Sequence, residues 1–159
     1  NQAFKPRVRE MRAAVDFAEN GRSAVILRLG QLYGRDPGTT YALRKTREGE
    51  AVLLGKPSDY ITLVHHIDAG RAFLAALDAR SGFYNVGGEP ITRARWAKDL
   101  GREARAGMDA KFFPAATQAV LPAKMDVQRR SLRVSSIRFM RETGWRPTIG
   151  PSSLGWSRI

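Results

Sequence analysis

Hydrophobic positions near the start of the chain follow two different spacings. Residues 7–19 carry apolar side chains at steps of three and four, which predicts a helix with one apolar face. The positions on that face are Val8, Met11, Val15 and Ala18. Residues 24–29 instead form an almost continuous apolar run, which predicts a strand buried on both faces. A helix followed by such a strand indicates an α/β fold with parallel strand pairing.

The same patterns predict an alternation of strands and helices along the rest of the chain. Strands are expected at 51–55, 60–67, 82–88 and 110–114, and helices at 39–48, after Asp68, from Thr92 to Arg105, and from Ile137 to Thr143. Asp68, Thr92 and Ser136 are expected to cap the helices that follow them. The helix after Asp68 is expected to bury Ala72, Phe73, Ala76 and Leu77. Residues 115–133 show no clear pattern.

The composition is that of an ordinary globular domain with a strong positive charge. The chain has 159 residues, 43% of them hydrophobic, and no apolar run reaches the length of a membrane span. Its formal charge is +12, but the basic residues are scattered, and the densest cluster is Arg129, Arg130 and Arg133. The absence of cysteine excludes disulfides and thiolate metal sites and fits a reducing compartment. We therefore expect a cytoplasmic protein, not a membrane protein, with a modest preference for anionic ligands.

The exit of the strand predicted at 24–29 is the first candidate site. In open α/β sheets, ligands bind beyond the carboxyl ends of the strands, and here the exit has the sequence RLGQLYG. Gly30 allows a ligand or a backbone segment to approach closely, and Gln31 can donate and accept hydrogen bonds. The alternative is a tight structural exit in which Arg28 forms an ion pair. The residues alone leave both alternatives open.

The histidines of LVHHID are the second candidate. His65 and His66 are expected to point to opposite faces of a strand, and the chain has no other histidine, so we expect no metal site. His65 is expected in the core or lining the site. The glycines of NVGGEP lack the spacing of a phosphate-binding loop and predict a strand-to-helix turn. Trp145 is expected to pack the last helix against the body of the protein.

Four sequence segments, taken in their order along the chain, are more specific for a known family than any one of them alone. They are AVILRLGQLYGRD, GKPSDYITLVHHIDAGRAFLAAL, GFYNVGGEPITRARWAKDLG and SSIRFMRETGWRPTIG. Together they resemble the C-terminal half of an extended short-chain dehydrogenase/reductase of the NAD-dependent epimerase/dehydratase family. The family pattern is a strand ending in R-x-x-N-x-Y-G, followed by V-H-V-D-D, Y-N-V-G-G and L-G-W-x-P. The resemblance implies an α/β fold: the C-terminal part of a Rossmann-like parallel sheet with a small mixed α/β substrate-binding region.

The resemblance also implies roles for individual residues. Leu29 and Gly30 occupy the positions beside the nicotinamide of NAD or NADP. Gln31 stands where the family often has an asparagine that contacts the substrate. Tyr33 matches the tyrosine of Y-G, and His65 matches the histidine of V-H-V-D-D, so both are expected at the substrate site.

Departures from the family pattern bear on catalysis. The family's catalytic pair is Y-x-x-x-K, but the lysine nearest to that position, Lys5, has Asn1 four residues before it. An amide cannot exchange protons near neutral pH, so Lys5 is a catalytic candidate without its tyrosine partner. Either the catalytic pair lies outside this chain, or the chain is an atypical member that lacks it. Ile61 and Thr62 stand where nucleotide-sugar enzymes often place an arginine, and the glycine-rich phosphate loop is missing.

These features give a division of the chain and two functional hypotheses. Residues 1–35 and 60–90 are expected to form the last helix and strands of the Rossmann-like sheet, and 36–59 and 91–159 the substrate-binding region. The N-terminal dinucleotide-binding half is expected to lie outside this chain. The favoured hypothesis is the substrate-side portion of an NAD(P)-dependent epimerase, dehydratase or reductase, a homodimer acting on a sugar or sugar-nucleotide-like molecule. The alternative is a catalytically degenerate module whose basic surface binds RNA or a protein complex.

Overall fold

The computed structural model describes residues 5–20, 22–122, 125–153 and 155–158. The helices are α1 (Lys5–Glu19), α2 (Pro37–Arg47), α3 (His66–Ala75), α4 (Arg93–Ala104), α5 (Ala115–Ala119), α6 (Asp126–Arg129) and α7 (Ile137–Thr143), with a 3₁₀ turn at Ala76–Asp78. The strands are β1 (Val25–Leu29), β2 (Gln31–Tyr33), β3 (Ala51–Leu53), β4 (Tyr60–Ile61), β5 (Leu63–His65), β6 (Gly82–Val86), β7 (Ile91–Thr92) and β8 (Lys111–Phe112). No helix in these ranges is both long and apolar enough to cross a bilayer.

Parallel strand pairs dominate the architecture. β1 pairs with β6, β2 with β5 and β3 with β8, all in parallel, whereas β4 and β7 are antiparallel. Parallel strands need crossover connections, and α2 and α3 lie in the connections of the first two pairs. The fold is therefore mixed α/β with a partial Rossmann-like parallel arrangement, and the predicted fold class is confirmed.

The chain changes strand partner at Gly30. Its amide donates to the carbonyl of Val86, which continues the β1–β6 ladder, with a nitrogen–oxygen distance of 2.8 Å. The next amide, that of Gln31, donates to the carbonyl of Thr62 at 2.9 Å. The segment from β1 to β2 thus leaves β6 and joins β5 within two residues.

Two hydrophobic clusters form the interior. The buried residues of the first cluster are Tyr33, Leu43, Leu53, Ile61, Leu63, Trp96, Ala97, Leu100, Ala104, Ala110 and Trp156. Those of the second cluster are Val64, Ala69, Ala72, Tyr84, Val86, Phe139 and Trp145. Leu63 and Val64 are neighbours in β5 and point to opposite faces, as pleating requires, so β5 contributes to both clusters.

The predicted burial of β1 on both faces is wrong. Alternate residues, Val25, Leu27 and Leu29, pack against the second cluster, but they are only half-buried, and Arg28 is exposed. In the described part of the chain, β1 has a neighbouring strand, β6, on one edge only. Its continuous apolar sequence therefore does not correspond to complete burial.

The region predicted as one strand at 60–67 is divided. β4 ends at Ile61, Thr62 interrupts the strand, and β5 ends at His65, after which His66 begins α3. The helix cap is therefore His65 rather than Asp68: its Nδ1 accepts from the amide of Ile67, whereas Asp68 lies in the first turn.

The buried face of α3 differs from the predicted one. Ala69 and Ala72 face the second cluster, whereas Phe73 and Leu77 are exposed, contrary to the predicted apolar face. Of the four residues predicted to be buried, only the two alanines, Ala72 and Ala76, pack against the second cluster.

Local signals at the other helix ends are mostly confirmed. The Thr92 side chain accepts from the amide of Arg95 and caps α4, and α7 ends at Gly144, whose φ is 73°. Ser136 precedes α7 but does not cap it, since its hydroxyl bonds both the amide and the carbonyl of Gly87. Trp145 is buried in the second cluster beside Phe139 of α7, as predicted.

Candidate functional site

Leu29 and Gly30 lie at the end of β1, where the strand leaves the sheet. A Cβ atom on Gly30 would stand 2.7 Å from the carbonyl oxygen of Thr62, so a backbone segment occupies the space that this glycine provides. Leu29 is half-buried against the second cluster. Arg28 makes no ion pair with any described residue, contrary to the expected alternative; its guanidinium carbon lies 4.7 Å from the centre of the Phe83 ring.

Gln31 presents a polar side chain to solvent at this exit. Its backbone amide is bound to Thr62, but its side chain is exposed and makes no hydrogen bond with the described residues. The neighbouring Leu32 is 42% exposed as well. The exit therefore offers one amide group that can both donate and accept toward a ligand.

Tyr33 lies in the interior, directly behind this exit. It is 1% exposed, and its hydroxyl donates to the carbonyl oxygen of Ile149 at 2.6 Å. Its ring makes edge contacts with the rings of His65, Trp96 and Trp156 at centroid distances of 5.1, 5.7 and 5.1 Å. Burial, with nearby carboxylates adding to it, raises the pKa of Tyr33 above its ordinary value. The phenol is thus protonated at neutral pH and engaged with the backbone.

His65 is equally buried and has both ring nitrogens occupied. Nε2 lies 3.0 Å from the carbonyl oxygen of Trp156, and Nδ1 accepts from the amide of Ile67 at 3.4 Å. A carbonyl can only accept, so these partners assign the proton of the neutral ring to Nε2. Burial lowers the pKa of His65, and the charge of nearby His66 acts in the same direction, while the bond to Trp156 opposes them.

The two histidine rings lie side by side. Their centres are 4.4 Å apart, contrary to the expectation of opposite faces, because the strand ends at His65 and His66 begins a helix. The His66 Nδ1 accepts from the amide of Arg35 at 3.3 Å. Among the described residues, no third histidine, aspartate or glutamate joins them to form a group that could hold a metal ion.

Lys5 is the first residue of α1, and its side chain lies outside the described part of the structure, as does the whole of Asn1. The catalytic candidacy of Lys5 therefore stays a prediction.

The C-terminal segment closes over Tyr33 and His65, a role that the sequence patterns did not indicate. Fully buried Asp68 accepts hydrogen bonds from the Thr148 amide, the Thr148 hydroxyl and the Ile149 amide at 2.8–2.9 Å. Four acceptor sites on one buried carboxylate explain why this short backbone stretch is fixed. The signal in the sequence was Asp68 itself, an acidic residue on the inner face of α3 that does not cap this helix.

Glu103 fixes the segment further along. Its carboxylate accepts from the amides of Gly155 and Ser157 and from the Ser157 hydroxyl. Burial alone would raise the pKa of Glu103, but these bonds outweigh it and hold the pKa below its ordinary value. Trp156, between the two bound residues, is thereby seated in the first cluster, completely buried.

Comparison with solved structures shows which proteins share this fold. The chain is similar to UDP-glucose 4-epimerase from Thermus thermophilus, solved with NAD, with 27% identity and a TM-score of 0.65 over 89% of this chain and 47% of that one. It is similar to UDP-glucose 4-epimerase from Thermotoga maritima, solved with UDP-glucose, with 21% identity and a TM-score of 0.68 over 93% and 48% of the two chains. RMD from Pseudomonas aeruginosa, solved with NADPH, gives 19% identity and a TM-score of 0.60 over 88% and 48%.

The chain spans about half the length of these structures. No protein-family model matches it, and no curated protein does. The structure resembles the C-terminal half of extended short-chain dehydrogenases/reductases. The resemblance to the NAD-dependent epimerase/dehydratase family, indicated by the four ordered motifs, is confirmed.

Proposed function

We propose that this chain is the substrate-side portion of an NAD(P)-dependent epimerase, dehydratase or reductase that acts on a sugar or sugar-nucleotide-like substrate. The observation that carries the proposal is the match to the Thermus enzyme, with 27% identity over 89% of this chain. That enzyme is a UDP-glucose 4-epimerase, and its structure contains NAD. In this proposal residues 1–35 and 60–90 complete the dinucleotide-binding sheet, and 36–59 and 91–159 hold the substrate.

The strand exit is the part of the chain proposed to face the cofactor and the substrate. Leu29 and Gly30 are half-exposed there and offer a backbone edge to a nicotinamide, but the sequence has no glycine-rich loop to hold the phosphates. When bound, the nicotinamide supplies hydride transfer. Gln31 is proposed to hydrogen-bond the substrate, and Tyr33 and His65 to take part in the substrate site by fixing the position of this exit.

The experiment tests the full-length product of the gene that encodes this chain. Its intact mass and the nucleotide released on denaturation show whether a dinucleotide half is present and loaded. With UDP-glucose as the probe substrate, Gln31→Ala is expected to raise KM about tenfold, because a substrate hydrogen bond is lost, and to leave the cofactor content unchanged. Asn20→Ala, which removes an exposed amide just after α1 and outside the proposed substrate region, is the matched control and is expected to leave KM unchanged.

Two results would overturn the proposal. A full-length product that neither contains nor binds NAD or NADP would remove the enzyme function. Binding of RNA that weakens steeply with salt, in a product without a cofactor, would favour the basic binding module instead. A loss of activity shared by Gln31→Ala and Asn20→Ala would contradict the assigned role of Gln31.

A further inference from the structure

The outer face of α3 and the following 3₁₀ turn exposes large apolar side chains. Phe73, Leu74 and Leu77 are 57%, 69% and 82% exposed, while the inner face is made of alanines. Ile137, the first residue of α7, is also apolar and is 53% exposed. Large apolar side chains exposed together on one helix face are typical of interaction sites on soluble proteins.

A concave region of about 600 Å³ joins these two elements. Its walls are formed by Asp78, Arg80, Ile137, Arg138, Arg141 and Glu142. We refer to the exposed apolar residues and the three arginines as the α3–α7 surface: Phe73, Leu74, Leu77, Ile137, Arg80, Arg138 and Arg141. The surface is thus an apolar ridge beside a groove with a cationic border.

The arginines of this surface have little internal neutralisation. Glu142, which faces them, accepts from the Tyr84 hydroxyl at 2.6 Å and from the Arg80 amide at 2.9 Å. Of the three guanidinium groups, only that of Arg138 approaches a carboxylate of the described residues within 4.0 Å, and it also lies over the Tyr84 ring. Arg80 and Arg141 therefore keep donors that an external carboxylate can occupy.

We propose that the α3–α7 surface binds an acidic amphipathic helix of a partner protein. Leucine-type residues of such a helix would cover Phe73, Leu74 and Leu77, as in other helix-in-groove interactions. Its flanking glutamates or aspartates would pair with Arg80, Arg138 and Arg141, whose planar donor groups suit carboxylates. The protein's charge of +12 adds long-range attraction for an acidic partner.

Shape and charge favour this occupant over two others. A bilayer is flat and cannot fill a concave groove of this size. A second copy of the chain in a two-fold dimer would bring this same surface against itself. Each side has three arginines and two carboxylates on the groove walls, so cations would be left unpaired.

The test uses the full-length gene product and a labelled synthetic helix of about 16 residues, long enough to be helical when bound, with leucines on one face and glutamates flanking them. A matched peptide carries lysine in place of each glutamate. Binding is followed by fluorescence anisotropy at low and at high salt. Only the acidic peptide is expected to bind, and more weakly at high salt, because the arginine pairs are exposed.

Variants of the surface locate the binding. Leu74→Ser with Leu77→Ser, and separately Arg138→Glu with Arg141→Glu, are each expected to weaken binding of the acidic peptide about tenfold. Val120→Ser, at a residue 82% exposed beyond α5, and Arg44→Glu, at an exposed residue of α2, are the matched controls and should change it less than about twofold. All these positions are exposed, and unchanged circular dichroism confirms that each variant folds.

Three outcomes would overturn the proposal. They are an acidic peptide that does not bind, binding that is indifferent to the two double substitutions, and binding of both peptides alike. Vesicles containing about one-fifth phosphatidylserine serve as a parallel probe. Their binding without peptide binding would assign the surface to a lipid membrane.

Discussion

At the scale of single residues, some glycines lie so close to neighbouring atoms that no larger residue fits in their place. Gly30 is the clearest example, since its missing Cβ is replaced by the carbonyl oxygen of Thr62. The same threonine's methyl group would lie 2.5 Å from a Cβ on Gly87, so two glycines border one residue between β4 and β5. The shape of the strand exit therefore depends on the close packing of Gly30 and Gly87 against Thr62.

Gly30→Ala is expected to destabilise the protein by about 1–3 kcal/mol, because the added methyl meets a backbone carbonyl that cannot move aside. Urea unfolding measures the change. Gly70→Ala is the matched control: Gly70 lies inside α3 with nothing within 4 Å of the added atom, so that variant should be neutral or more stable by up to about 1 kcal/mol. Equal destabilisation of both variants would contradict the close approach at Thr62.

His65 is expected to make the free energy of unfolding depend on pH. Its pKa in the folded protein lies below the 6.5 of a free histidine, so the unfolded chain binds more protons as the pH falls below about 6.5. The contribution of His65 to stability is thus present above that pH and is lost progressively below it. Unfolding measured between pH 5 and 8 should show a steeper acid loss in the wild type than in His65→Gln. The same steep loss should persist in His66→Gln, and its absence there would contradict the assignment to His65.

At the scale of elements, local signals gave the start of α4 and the end of α7 correctly, but not the caps predicted at Asp68 and Ser136. Thr92 caps α4 through an amide three residues away, and Gly144 ends α7 through its own backbone conformation. The prediction that Gln31 lies at a strand exit also rests on local sequence, because Gln31 comes two residues after the end of β1. The positions of Tyr33 and His65 could not be predicted in this way, because their partners, Ile149 and Trp156, lie 116 and 91 residues away.

The interior face of α3 shows the same limit. The apolar spacing of Phe73 and Leu77 is compatible with burial, but the helix begins at His66, and the alanines occupy the inner face instead. Periodicity defines which residues share a face of a helix. It does not determine which face meets the sheet when more than one is apolar.

Asp68 is expected to be the main link between α3 and the C-terminal segment. Asp68→Asn replaces one acceptor oxygen by a donor that faces the amides of Thr148 and Ile149, and it should destabilise the protein by about 2–4 kcal/mol. Hydrogen exchange at those two amides should accelerate as well. Asp78→Asn, at an exposed residue of the 3₁₀ turn, is the control and should change stability by less than about 0.5 kcal/mol. Slow exchange at Thr148 and Ile149 in Asp68→Asn would show that other contacts hold the segment.

At the scale of the whole molecule, the C-terminal segment ties the two hydrophobic clusters together. Trp145 belongs to the second cluster and Trp156 to the first, with Thr148 and Ile149 bound to Asp68 between them. The similarity to solved structures covers about nine-tenths of the chain, so this connected body is the unit to which the proposed function applies.

Trp156→Ala is expected to destabilise the protein by about 3–5 kcal/mol through the cavity left in the first cluster. Trp156→Phe should cost clearly less, because the buried indole nitrogen of Trp156 has no hydrogen-bond partner among the described residues and its loss removes no bond. Chemical denaturation of the two variants measures the difference. Equal losses in both would indicate an unrecognised partner of the indole nitrogen.

The long reach of the C-terminal segment has a consequence for how the polypeptide acquires its structure. The contact of Tyr33 with Trp156 cannot form until residue 156 is available, although β2 is synthesised far earlier. On the ribosome, the nascent chain would carry an open aromatic pocket from the synthesis of β2 until that of residue 156, exposed to chaperones and to other nascent chains. Such distant pairings also favour slow folding, so the last step should be the arrival of Trp156 over His65.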